Sequence, residues 1–557
     1  MDSEDDDYPF DELTSSGQHP KSSTSKSESN VDLATTPRAT FSLDNLPSDF
    51  VAFLAKNDID PAIYTVTDLP RYVRLNPDPH LTISPEELGV QLGTKVEPVS
   101  GLEDFCRLSG HVKLRNTQAY KDGRIFGMDL SSGIAVYALD IQPGEHVLDI
   151  CCAPGAKLCM IAGILNHPRH VRSDPSQKKS KRLHMDIAGT VTGVDISAHR
   201  LATCRSLLKR HQLQQQSRLF QADGTTFGVM RPTAIESIQA KIKASQQASE
   251  IGEKDEKMAE YHHKEPKKQY EPKEETGSST LGNTSHDGEP QKVARAKGTT
   301  DREDPCKRRK LDTVELLQGL LTLAPVSGLQ DQCKEEDKEN LTPYRPLDQE
   351  KTTPFFASKI LRNDPQLKDE RFKYDKVIVD AECTHDGSIA HILKYETWGW
   401  DNFHKNFMSR DRLDSLRDLQ RNLLLNGFRL TKPDGIIVYS TCSLSKAQNE
   451  DVIAWFVAKM RGRAVLETLP RNALGITRAV CKRPSREVVV EALGLQEAST
   501  IGASHNNSTP QERWQGTPEQ EVDMERFQAH VTEMCLRFDP LASNTSGFFL
   551  ARIRKIY

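Results

Sequence analysis

Three things are missing from this chain of 557 residues. It has no run of about 18 apolar residues, so no membrane-spanning helix is expected. Its first residues, MDSEDDDYPF, are acidic where an export signal is basic and then apolar, so an intracellular protein is expected. Its eleven cysteines form no CxxC pair and no Cys/His ladder, which argues against a disulfide framework and against a zinc site. The thiols are then free to serve as reagents. Apolar residues are also scarce: 36% hydrophobic against 27% charged implies that much of the chain lies outside any core.

Charge is unevenly spread. The net charge of −5 hides a −7 in residues 1–45, which hold ten acidic and three basic residues, so the remainder carries about +2. A near-neutral body is compatible with a nucleic-acid partner, because such binding depends on local Lys/Arg patches. Residues 1–45 are rich in Ser, Thr and acid without apolar periodicity and read as a disordered acidic tail. From residue 46 the pattern changes. SDFVAFLAKNDI places Phe50, Phe53 and Leu54 on one face of a helix N-capped by Ser48. RYVRL (71–75) reads as a strand, SPEELGVQL as a helix opened by Ser84, and KVEPVSGL as extended chain. A small α+β lobe over 46–125 is expected, with RNA contact and plain packing as its two candidate roles.

The rest of the chain is organised around VLDICCAPGAK, Val147 to Lys157, and the LCMIAGIL that follows. A buried strand that turns through Pro154 and Gly155 into a helix exposes free N–H groups at the helix start, where acidic or polar ligand groups bind. GTVTGVDIS predicts a second strand ending at Asp195, and SRLFQADGTTF a third ending at Asp223. KYDKVIVDAEC predicts a fourth ending at Asp380. RLDSLRDLQRNLLLNGFRL then reads as a helix with Leu413, Leu416, Leu419 and Leu423 as core, KPDGIIVYSTCS as a strand, KAQNEDVIAWFVAKM as a helix and GFFLARIRK as the last strand. This alternation predicts an α/β fold, a doubly wound, Rossmann-like sheet with its ligand at the carboxyl ends of the strands. An Asp after a strand is ordinarily a turn residue. Asp149, Asp195 and Asp223 in register favour a ligand.

Two stretches interrupt the pattern. Residues 235–359 lose periodicity, and a disordered charged insertion is expected there, with TVELLQGLLTLAPV (313–326) as a docking helix within it. KRRK, Lys307 to Lys310, resembles a nuclear import signal, so a nuclear location is expected. The basic loop 169–182 reads as a solvated insertion, and a loosely ordered insertion is expected at about 461–520. The main domain would therefore come in two parts, 126–234 and 360–557.

Two predicted strands end in cysteine turns, DAECT at Cys383 and STCS at Cys442. A free cysteine taken singly is usually buried and inert. Two on the ligand edge favour a thiolate suited to attack on an electron-poor ring. DICCAPGAK, GVDIS with Arg200 three residues on, ADGT, VDAEC, KPDGIIVYSTCSLSKAQNE and GFFLARIRK together resemble successive motifs of the RsmB/NOP/Sun (NSUN-type) family of S-adenosylmethionine-dependent RNA cytosine-5 methyltransferases. RYVRLNP and FGMDLSSGIAV are similar to that family's N-terminal lobe and its approach to the cofactor strand. The resemblance spans about 46–230 and 370–557.

The resemblance implies a Rossmann-like methyltransferase sheet that binds S-adenosyl-L-methionine. Cys151, Cys152, Ala153, Pro154, Gly155, Ala156 and Lys157 would cradle its methionine and ribose portions. Asp195 would bond the ribose hydroxyls with Arg200 orienting it, Asp223 would lie near the adenine, and Asp380 would face the reacting groups. Cys442 would be the nucleophile on carbon 6 of cytosine. Asp380 would bond or protonate the ring edge, and Cys383 would assist product release. The implied partner is RNA, tRNA or rRNA, with no membrane and no metal. Reaching the ring requires the base to be unstacked, at a cost of about a few kcal/mol.

The sequence departs from the family pattern at Glu382, where Pro is usual, and its carboxylate is expected either to raise the pKa of Cys383 or to act as a base. Ala156 and Leu158 replace Gly and Thr, and Asp434 replaces Gly. A non-catalytic RNA-binding or assembly factor is the alternative, and a DNA methyltransferase with its nucleophile at Cys383 is a third.

Overall fold

The computed structural model describes residues 41–66, 68–110, 112–166, 189–232, 317–318, 320, 353–362, 370–469, 481–495 and 517–557. Most of the acidic tail, the basic loop 169–182, KRRK and most of the 235–359 insertion lie outside these residues.

The smaller of two sheets is antiparallel and formed by β1 (Arg71–Leu75), β2 (Glu97–Val99), β3 (Leu102–Leu108) and β4 (Ile125–Gly127), in the order β2-β3-β1-β4. Alternation along β1 sends Val73 to one face, in a cluster with Leu88, Cys106, Leu114 and Ile125. Tyr72 goes to the other, in a cluster with Phe105, Phe126 and Ile134 that continues into the main domain. Ser84 caps the Pro85–Leu92 helix, its hydroxyl accepting from the Glu87 amide at 3.1 Å.

The larger sheet contains β5 (His146–Ile150), β6 (Thr190–Asp195), β7 (Ser217–Gln221), β8 (Phe356–Ala357), β9 (Tyr374–Asp380), β10 (Thr431–Thr441), β11 (Ala464–Glu467), β12 (Leu536–Phe538) and β13 (Phe548–Lys555). Its order is β11-β13-β10-β9-β5-β6-β7-β8, with β12 also paired to β13. Strands β10, β9, β5, β6 and β7 run parallel. The first in sequence, β5, is central, and the chain leaves it outward through β6 and β7 before returning to build β9 and β10 on the other side. That reversal opens a crevice at the carboxyl ends of β5 and β9. The helices Ala156–Leu165 and Ala198–Arg210 supply Leu158, Ile161, Leu201 and Leu208 to one buried cluster. Helices Arg410–Leu430 and Glu450–Met460 supply Leu423, Leu424, Ile453 and Phe456 to another, which takes Leu148 and Ile150 from β5. The doubly wound α/β sheet read from the sequence is the fold.

Several local expectations are corrected. Ser48 is the first residue of its helix and Pro47 the cap. That helix and Tyr64 pack on Tyr395, Phe403 and Phe407, because their aromatic faces match that cluster rather than the small sheet. β7 stops at Gln221, two residues short of Asp223, which bonds within the following turn. The 461–520 stretch contains β11 and the Arg486–Leu493 helix, whose apolar Val465, Val489 and Val490 are buried. In 313–326 the described Leu317 and Leu320 are helical and buried in the same cluster as Phe220 and Phe227, so these two leucines serve the chain's own core instead of a docking face.

Candidate functional site

The turn after β5 is built from conformations few residues adopt. Cys151 has φ 65° and Gly155 φ 112°, and the Ala156–Leu165 helix begins at once. A Cβ at Gly155 would stand 3.1 Å from the Cα of Cys204 on the next helix, so glycine is required by both contact and φ. No side chain caps this helix, which leaves its first amides for another acceptor. At the end of β6 the buried Asp195 accepts from the Ala153 amide at 3.3 Å and the Ser197 amide at 2.9 Å. Arg200 Nη1 lies 3.6 Å from Asp195, and its Nη2 donates to the Ala153 carbonyl at 2.7 Å. Turn, carboxylate and guanidinium are thus pinned together. Asp223 is held within its own turn: it is exposed and accepts from the amide and hydroxyl of Thr225, both at 2.8 Å, while the preceding Ala222 amide bonds the Asp195 carbonyl at 3.1 Å.

Asp149, read from the sequence as one of three strand-end acids favouring a ligand, differs from Asp195 in how it is satisfied. It is buried at the end of β5, and both carboxyl oxygens lack a hydrogen-bond partner among the described residues. Burial, and then the neighbouring Asp380, push its carboxyl well above the ordinary value.

Asp380 ends β9 and joins this turn to the thiols. One oxygen takes the Lys157 ammonium at 2.8 Å and the other the Ser440 hydroxyl at 2.6 Å. Lys157 also donates to Ser132 Oγ at 3.1 Å. Burial works against the ammonium, but Asp380 outweighs it and holds the Lys157 pKa above the usual value. Two residues beyond Ser440, Cys442 Sγ lies 3.4 Å from Cys383 Sγ and 2.9 Å from His385 Nδ1. Cys383 is the more buried of the two thiols, and burial together with Cys442 pushes its pKa well up. Lys157, Asp380, Cys383 and Cys442 therefore share one edge of the sheet.

The loop carrying His385 is tightly held. Buried Asp386 accepts from Ser443 Oγ and the Leu444 amide, both at 2.7 Å, and also from Thr384 Oγ1. The Gly387 amide bonds the Cys442 carbonyl at 3.0 Å, and Gly547 donates to Gly387 at 2.7 Å. A Cβ on Gly387 would come within 2.6 Å of the Gly547 carbonyl oxygen. Sequence reasoning missed His385. Its only signal was a His two residues after Cys383, and nothing local reveals that Thr384–Gly387 curls beneath Cys442.

Glu382 is corrected. Its carboxylate pairs with Arg412 and its carbonyl accepts from Gln420 Nε2 at 2.8 Å, so it does not stand as a free base, and Cys383 is raised chiefly by burial and by Cys442. The nearest sulfur and nitrogen atoms of Cys383, His385 and Cys442 lie within 4.8 Å of one another. A tetrahedral zinc would hold a thiolate and an imidazole nitrogen about 3.6 Å apart. The 2.9 Å separation between His385 and Cys442 is a hydrogen bond.

A family model described as 16S rRNA methyltransferase RsmB/F matches residues 351–490, the stretch that contains Asp380, Cys383, His385 and Cys442. Over this stretch the chain is similar to the RsmB/NOP/Sun family. Among curated RsmB/NOP/Sun relatives, the multisite-specific tRNA:(cytosine-C(5))-methyltransferase trm4b of Schizosaccharomyces pombe is 28% identical over 33% of this chain and 24% of its own length. The multisite-specific tRNA:(cytosine-C(5))-methyltransferase of Saccharomyces cerevisiae is 27% identical over 36% of this chain and 26% of its own. The 5-cytosine rRNA methyltransferase nsun-4 of Caenorhabditis elegans is 37% identical over 22% of this chain and 25% of its own. The chain spans about a quarter of the length of these relatives. One departure from the RsmB/NOP/Sun pattern has a visible consequence: Asp434, in place of Gly, keeps the φ of 60° that glycine adopts more easily.

Proposed function

We propose that the protein transfers a methyl group from S-adenosylmethionine to carbon 5 of a cytosine in RNA, tRNA or rRNA, with Cys442 as nucleophile. The observation that carries this is a partly exposed Cys442 thiol, bonded to an imidazole, on the sheet edge that also holds the Lys157–Asp380 pair and the Pro154 turn. The residues fit the cofactor. The uncapped helix start suits its carboxylate, the Asp195 carboxylate suits vicinal hydroxyls, and the orphaned Asp149 carboxyl supplies one more polar group. Residues Cys151 to Lys157 with Asp195 and Arg200 would hold it, and Asp223 would border the adenine. When bound, it supplies a methyl group on a sulfonium sulfur, an electrophile.

Carbon 5 of cytosine is a weak nucleophile. Addition of the Cys442 thiolate to carbon 6 forms a sulfur–carbon bond and turns the ring into an enamine, nucleophilic at carbon 5. Asp380, anchored by Lys157 and Ser440, bonds the ring edge as charge develops. Cys383, 3.4 Å from Cys442 Sγ, assists the elimination in which a base takes the carbon 5 proton and the sulfur–carbon 6 bond breaks to free the Cys442 thiolate. The base reaches this edge only when unstacked, which is easiest in RNA loops.

The test is a denaturing gel after incubation with RNA and cofactor. Cys383→Ala should accumulate a covalent RNA–protein adduct. Cys442→Ala should form none and lose methylation by more than about a thousandfold, the order seen when a covalent nucleophile is removed. Methylation retained by Cys442→Ala would overturn the assignment.

A further inference from the structure

We propose that His385 is a further catalytic residue: its Nδ1 takes the Cys442 proton and holds the nucleophile as a thiolate–imidazolium pair. The inference rests on the methyl-transfer reading for its purpose, but the pair itself is a property of the free protein. The geometry is direct. Nδ1 is 2.9 Å from Cys442 Sγ and 3.9 Å from Cys383 Sγ, so Cys442 is the nearer sulfur. The imidazole is clamped, with its ring 5.6 Å from Phe407 and 5.1 Å from His391, and its loop is tied to the Cys442 loop through Gly387 and Asp386.

The charges around the pair favour transfer. Burial disfavours a charged imidazole, but Cys383, Glu382 and Asp386 outweigh it and raise the His385 pKa. Across the ring, His391 is pushed down to about 3 by burial and so stays neutral at physiological pH. A proton moving from Sγ to Nδ1 separates charge only across one hydrogen bond. No other bond changes at this step. The sulfur–carbon 6 bond then forms from the thiolate, and its cleavage after loss of the carbon 5 proton regenerates the same thiolate. This answers a need of the chemistry, because an ordinary thiol with a pKa near 8.5 is only a few per cent nucleophilic at pH 7.

The experiment is alkylation of the full-length protein by iodoacetamide from pH 5 to 9, without RNA, read at the Cys442 peptide by mass spectrometry. Wild-type Cys442 should react with a midpoint below that of a free thiol. In His385→Asn the midpoint should rise by at least about one unit, so that alkylation at pH 6 slows about tenfold. Identical profiles would overturn the inference, as would a profile that changes only on adding a chelator. If His385→Asn does not fold, the His385 ring can be titrated by NMR in the folded wild type. Its midpoint should drop in Cys442→Ser, and an unmoved midpoint would equally overturn the pair. Methylation kinetics separate this from the activity itself. A fall in kcat with RNA KM held within about twofold is expected for His385→Asn. A shifted alkylation profile in a protein that methylates no RNA would leave the pair standing and sink the methyl-transfer reading.

Discussion

At the scale of single residues, the site sorts its acids by how each is satisfied. Asp195 and Asp380 have donors and Asp149 has none, and burial, then the neighbouring Asp380, drive the Asp149 carboxyl towards its neutral form. The linkage follows. A carboxyl whose folded pKa lies above its unfolded value of about 3.9 contributes its full stability below that value, and loses it as pH rises through the folded pKa. Asp149→Asn cannot ionise and keeps a similar shape. Its unfolding free energy should therefore gain on wild type with rising pH, by about 1.4 kcal/mol for each unit by which the folded pKa is raised. Thermal melts of both proteins at pH 5 and pH 8 check this, and a gap that does not widen counts against a buried neutral carboxyl. The cysteines and strand-end acids were legible because motif and strand pattern announce them. The orphaned state of Asp149 and the place of His385 were not, since the one depends on what fails to contact it and the other on a loop closing from 57 residues away.

At the scale of elements, legibility followed length and apolar content. The parallel strands β5, β6 and β9 were readable as buried apolar runs ending in acids. β11 and β12, with four and three residues, exist because β13 offers them an edge, and no window that short carries the signal. The turn after β5 gives a sharp contrast between neighbours. Gly155→Ala forces a side chain into φ 112° and to 3.2 Å from the Cys204 sulfur, at an expected cost of about 1–3 kcal/mol and with weakened cofactor binding. Ala156, the first helical residue, stands where the family has Gly. Ala156→Gly should cost no more than about 1 kcal/mol. Chemical denaturation and cofactor titration of the two variants measure the difference, and equal effects would mean that the turn is not held by Gly155.

At the scale of the whole molecule, the N-terminal helix supports the thiol loop from outside the main sheet. Phe50 is fully buried, edge-on to Phe403 at 4.8 Å and 5.7 Å from Tyr64. The Tyr64 hydroxyl donates to the Asp386 carbonyl at 2.8 Å, and Ser445 donates to Asn57 at 2.8 Å. These contacts span more than 300 residues of sequence and reach the two loops that carry His385 and Cys442. Removing the ring should therefore loosen one region and spare another. Phe50→Ala is expected to cost about 3–5 kcal/mol. Amide exchange should accelerate in residues 385–408 while β5 and β6 keep their protection, since their clusters share no residue with Phe50. If wild-type His385 and Cys442 work as a pair, the same variant should also lose alkylation of Cys442 at pH 6. Exchange that rises equally across the large sheet would mean instead that the helix stabilises the molecule as a whole and has no particular hold on the thiols.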